Sequence, residues 1–131
     1  MNCRIIPLAL VPLMLVMARG QELTYEPDLS WKAPPAAAAK TNPLTGNPSA
    51  AGGGRKLFLR NCAECHGNET AGTGRAPGLH LAPVQEQSDG ALFWKITNGN
   101  LGRGMPVWSR LPEAQRWQLV LFLRSLRRTG S

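Results

Sequence analysis

The sequence predicts an all-α domain, on three observations. Leu119, Phe122, Leu123 and Leu126 recur at i, i+3, i+4 and i+7, the apolar stripe of an amphipathic helix. Gly54, Phe58, Cys62 and Cys65 fall on one helical face. No stretch alternates apolar and polar residues as a half-buried strand would.

Residues 1–20 read as an export signal. Arg4 is the charge of a short n-region, Ile5 to Met17 an apolar h-region, and Ala18, Arg19, Gly20 a small-x-small cleavage site. The apolar run contains Pro7 and Pro12 and is shorter than the roughly 20 residues a spanning helix needs. Membrane association is therefore expected only through an uncleaved N-terminus or through a partner. Cleavage removes Cys3, Arg4 and Arg19, so thirteen basic residues remain against eight acidic ones and the net charge falls from +7 to +5. No basic stripe interleaved with aromatics is present, so nucleic acid is not an expected partner.

Residues 21–51 are rich in Pro and Ala and predict a linker or an arm. Pro27, Pro34, Pro35, Pro43 and Pro48 would break any helix started by Ala36 to Ala39. As a tether this segment would be extended; as an arm it would lie on the domain through Tyr25, Trp31 and Leu44. The domain itself is expected over 52–128, with a tail at 129–131. A first helix is predicted over about 50–62. Gly inside a helix costs about 1 kcal/mol against Ala, so Gly54 implies a second helix crossing closely there. The next helix runs from Ser88, a candidate N-cap, to Asn98, with Gly99 in the stopping position. The last runs from Pro112 to about Leu126, with Arg124, Arg127 and Arg128 where the dipole favours cations and Gly130 at its end. Between them lie Gly- and Pro-rich loops. Three to four helices give a core too small to stand alone, so a bound group at the centre is implied.

Residues 62–66 identify that group. Cys62, Ala63, Glu64, Cys65 and His66 form C-x-x-C-H, which the chain's three cysteines and two histidines would produce by accident about once in a thousand such chains. Two thiols three positions apart at a helix end project to one side, as thioether attachment of a haem requires, and His66 offers the iron a nitrogen. A thiol redox pair would want the cysteines at a helix N-terminus after a strand, and they lie at the end of a helical pattern instead. Cys62, Cys65, His66 and His80 lack the usual zinc spacing.

The iron's other axial position has three candidates: Met105, His80 or none. Met105 sits in Gly102, Arg103, Gly104, Met105, Pro106, a loop whose glycines let the backbone approach a flat ligand. A gap-filling Met belongs on an apolar helix face, not in such a loop. His80 would give a lower potential than Met, and a vacancy would permit ligand binding.

Over roughly residues 52–128 the chain resembles the class I c-type cytochromes. The marks are Gly54 and Phe58; Cys62, Cys65 and His66; Pro77, Gly78 and Leu79; Met105 and Pro106; and Trp117, Phe122, Leu123 and Leu126. The resemblance implies a cytochrome c-like fold around one covalent haem c, with iron held by His66 and Met105. It implies that the Pro77 carbonyl receives the other ring nitrogen of His66, and that Pro77 and Leu79 join the cofactor-binding set. Leu79, Leu81 and Leu101 are expected to cover the iron.

The function expected is one-electron transfer between redox proteins by an exported, periplasmic carrier that is not an enzyme and takes no small-molecule substrate. A haem enzyme or gas sensor with an open distal site is the alternative. Arg60, Arg75, Lys95, Arg103 and Arg110 are candidates for steering an acidic redox partner such as a periplasmic dehydrogenase or terminal oxidase.

Overall fold

The computed structural model describes residues 25–129, so the predicted export signal of 1–20 and the helix stop at Gly130 lie outside the described residues. Within them the chain forms α1 (Pro35–Ala38), α2 (Pro48–Asn61), α3 (Ala63–His66), α4 (Ala82–Gln85), α5 (Asp89–Asn98) and α6 (Glu113–Ser125). No strand occurs among the described residues, and α2, α5 and α6 are the three long helices that the apolar periodicity predicts. None of these helices is long and apolar enough to cross a membrane.

The helix ends follow local chemistry. Asn47 caps α2 by accepting the Ala50 N–H, with Pro48 in the first turn where its missing donor costs nothing. Ser88 accepts the Ala91 N–H to start α5, and Gly99, at φ +61°, ends it. Pro112 stands one position earlier than expected, as the residue before α6.

The closest packing is between α2 and α6, crossing at Gly54. A Cβ there would lie 2.0 Å from the Gln118 carbonyl oxygen and 2.9 Å from the Phe122 Cβ. One turn on, Phe58 meets Phe122 with ring centroids 5.2 Å apart. Phe93 of α5 stacks on Trp117 at 3.9 Å, closing a core that holds Leu92, Ile96, Leu119, Val120 and Leu123. Arg124 reaches off α6 to Asp89 at 2.6 Å and donates to the Gln85 carbonyl at 2.9 Å, joining the helix to the ends of α4 and α5. The Gln85 side chain, itself buried, donates to the carbonyls of Leu79 and Leu123.

Gly52, on the exposed side of α2, has nothing within 4 Å of a would-be Cβ. Gly52→Ala should therefore stabilise the protein by about 0.5–1 kcal/mol through helix propensity alone, read as a rise in the denaturant midpoint at constant m-value.

Residues 25–47 lie on the domain. Where the prolines were expected to prevent a helix, Pro35–Ala38 makes one turn, because Pro35 occupies the first helical position rather than the interior. The turn is seated on α5: a Cβ at Gly90 would meet the Ala37 carbonyl at 2.2 Å, and Ser88 Oγ donates to the Ala38 carbonyl at 2.6 Å. Asn42, buried, donates to the Trp117 carbonyl at 3.1 Å and accepts from Leu44 N–H. Leu44 packs against the core.

Candidate functional site

Cys62, Cys65, His66, Pro77, Leu79 and Met105 all line one cavity of about 800 Å³. They come from three stretches of chain, each held by its own backbone bonding. Cys62 closes α2 by donating its N–H to the Phe58 carbonyl at 2.8 Å, and its φ of −120° turns the chain into α3. Cys65 and His66 both donate back to the Cys62 carbonyl, at 3.2 and 3.0 Å. The two thiols are not joined to each other. Burial, and to a lesser degree the neighbouring Cys65, push the Cys62 thiol up to about 11. A redox or nucleophilic cysteine needs the opposite shift, so the site does not favour thiol chemistry.

The His66 ring is held from one side. Its Nδ1 lies 3.0 Å from the Pro77 carbonyl, which accepts the ring N–H and leaves Nε2 as the unprotonated nitrogen. Burial lowers the pKa of His66 and outweighs the Pro77 bond, which acts in the opposite direction, so the net effect favours a neutral ring able to bind metal. The loop that delivers Pro77 doubles back tightly. Gly72, at φ +87°, would place a Cβ 2.4 Å from the Gly78 nitrogen, and Leu79 N–H donates to the Thr70 carbonyl at 2.9 Å.

Met105 reaches the same cavity from a separate loop. Asn100 and Met105 exchange two backbone hydrogen bonds, at 2.9 and 3.0 Å, closing a small loop over the turn Leu101–Arg103. Gly104 makes the return at φ +88°, and Trp108 N–H then donates to the Ile96 carbonyl at 3.2 Å. Met105 is half-buried against the core. Phe58, Leu92, Ile96, Trp108, Leu119 and Leu123 complete an apolar interior.

His80, the other candidate nitrogen, is exposed and does not line the cavity. Two leucines expected over the iron are elsewhere. Leu101, in the one-turn loop outside the Asn100–Met105 bridge, is 74% exposed, and Leu81 is 46% exposed because it precedes α4 at the surface. Leu79 alone of the three lines the cavity. Of the basic residues, Arg75, Lys95 and Arg103 line it, Arg110 lies over the Trp108 ring at 4.4 Å, and Arg60 is exposed without reaching it.

Asn100 and, from an N-terminal strap of residues 25–31, Tyr25, Glu26 and Trp31 also line the cavity; Tyr25 and Trp31 are among the expected arm contacts, whereas nothing local in the sequence marks Asn100 or Glu26. Their partners are some seventy positions away along the chain.

The residues present fit a flat, covalently held cofactor. Two thiols lie at one wall, a neutral imidazole nitrogen and a thioether line the same space, and the interior is apolar and within the usual volume for a cofactor site. A family model described as Cytochrome C oxidase, cbb3-type, subunit III matches residues 49–123, more than half of the chain. No curated protein matches it.

Proposed function

Because the chain belongs to the Cytochrome C oxidase, cbb3-type, subunit III family, a c-type cytochrome domain that binds haem c covalently, we propose that it is an exported carrier of single electrons whose iron is held by His66 and Met105. Bound there, the haem supplies an iron that exchanges one electron without making or breaking a substrate bond. Cys62 and Cys65 hold the group, the Pro77 carbonyl orients the His66 ring, and the thioether of Met105 favours the reduced metal and so raises the potential. Leu79 and the apolar interior exclude water and oppose the extra positive charge of the oxidised state.

The observation that carries the reading is that His66 and Met105 line the same cavity as both cysteines while His80 lies outside it. His66 and Met105 would both hold the iron, leaving no place for a substrate, and the group would supply one-electron exchange with a protein partner. Arg75 and Arg103 at the cavity and Arg110 beside Trp108 favour an acidic redox partner, and the family's description makes a terminal oxidase the first class to try, a periplasmic dehydrogenase the second.

Spectroscopy of the purified holoprotein tests this. The iron should be six-coordinate and low-spin in both oxidation states, and the ferrous form should not bind carbon monoxide. A five-coordinate resting iron that takes up the gas at once would point instead to a haem enzyme or sensor.

A further inference from the structure

We propose that Asp28 is a positioning residue for Met105, latching the loop of residues 99–106 onto the N-terminal strap. The inference rests on the His66 and Met105 reading above and goes beyond it, since residues 25–31 lie outside the matched family region.

The loop is built from flexible parts. Three glycines, Gly99, Gly102 and Gly104, fall within six residues, and the described backbone ties are the paired bonds between Asn100 and Met105, two turn bonds from Arg103 and Gly104 N–H to the Asn100 and Leu101 carbonyls, and the bond from Gly99 N–H to the Lys95 carbonyl. Such a segment has little intrinsic preference for one shape, so whatever grips Asn100 also decides where Met105 stands. Asp28 grips it. The Asn100 side-chain amide donates to Asp28 Oδ2 at 3.0 Å, across 72 residues of sequence. The Ser30 hydroxyl and backbone N–H both donate to the other carboxylate oxygen, at 2.6 and 3.1 Å, holding Asp28 itself in place.

The rest of the strap serves the same loop. Arg103 donates to the Glu26 carbonyl and lies over the Tyr25 ring at 5.6 Å, so the loop is held at its start and at its middle. Trp31 anchors the strap to α5, with the Lys95 ammonium 4.5 Å from its ring centroid. Hydrogen bonds from the Ser30 and Asn100 side chains hold the Asp28 carboxyl down at about 2, with Arg103 acting in the same direction. Asp28 is therefore an anionic acceptor across the neutral range, and a charged acceptor makes the stronger bond.

The test uses the full-length ferric holoprotein and three readouts: the weak sulfur-to-iron absorption band of a bound Met, the affinity for cyanide, and hydrogen exchange at the Met105 amide. Asp28→Ala should weaken the band, raise cyanide affinity by about threefold or more, as loss of one hydrogen bond implies, and speed exchange at Met105. Asp28→Asn, which retains a neutral acceptor for Asn100 but loses the charge, should fall between wild type and Asp28→Ala. In an Asn100→Ala background, Asp28→Ala should add nothing. Additive effects, or an Asp28→Ala variant with normal helix content and wild-type cyanide affinity, overturn the latch while leaving Met105 as ligand. A wild-type spectrum without the band overturns the ligand assignment, and the latch with it.

Discussion

Met105→Ala is expected to lower the midpoint potential by on the order of 100 mV, a fraction of the roughly 0.8 V range that axial ligands set, and to open the iron to cyanide and carbon monoxide. The thioether is soft and stabilises the reduced state, so replacing it with water or nothing removes that preference. The substitution deletes the donor and little else. The bonds that shape the loop are Asn100 N–H to Met105 C=O and its reciprocal, both backbone, and they survive truncation of the side chain. The thioether attachments at Cys62 and Cys65 are untouched, so the protein should stay red after acid-acetone extraction. His80→Ala is the matched control, and its potential should not move because His80 is exposed and outside the cavity. A Met105→Ala variant with an unchanged potential would remove Met105 from the iron and return attention to His80.

Gly54→Ala should cost about 1–3 kcal/mol, against the gain of about 1 kcal/mol that Ala brings to a helix elsewhere. The added methyl would lie 2.0 Å from the Gln118 carbonyl oxygen and 2.6 Å from its carbon, and both are backbone, so no rotamer can relieve the overlap. The helices α2 and α6 must move apart, which loosens the Phe58–Phe122 contact and a cavity wall that Phe58, Leu119 and Leu123 share. Guanidinium unfolding of the holoprotein reads the loss as a lower midpoint, and Gly52→Ala, two residues away on the same helix, should shift the opposite way. Equal shifts at the two glycines would show that the crossing is not the constraint.

The long helices were legible because their signals are local. An apolar stripe at i, i+3, i+4 and i+7, a Ser N-cap and a Gly stop act within a turn or two of where they are read. The tight crossing at Gly54 was legible for a related reason, since a glycine within an otherwise helical pattern needs a cause and close approach is the commonest. The C-x-x-C-H run was legible because its chemistry needs no partner beyond five residues. The leucines were less so: Leu79, Leu81 and Leu101 look alike in sequence, and only their position relative to α4 and the Asn100–Met105 bridge separates the one that lines the cavity from the two that face solvent. The Pro- and Ala-rich stretch left tether and arm both open, because apart from Trp31 and Leu44 its contacts with α5 and α6 are made by backbone carbonyls and by Asn42, which carry no apolar period.

What the sequence by itself determined is the helical class, the covalent haem and the C-x-x-C-H run that fits its attachment, all set by residues within a few positions of one another. What only the tertiary structure decided is which residues surround that group. Asn100 meets Asp28 72 residues back, and Arg103 meets Glu26 77 residues back. Side-chain spacing predicts neighbours along a helix, whereas contacts between loops depend on how the helices cross. Here that crossing is set by the bare backbone at Gly54.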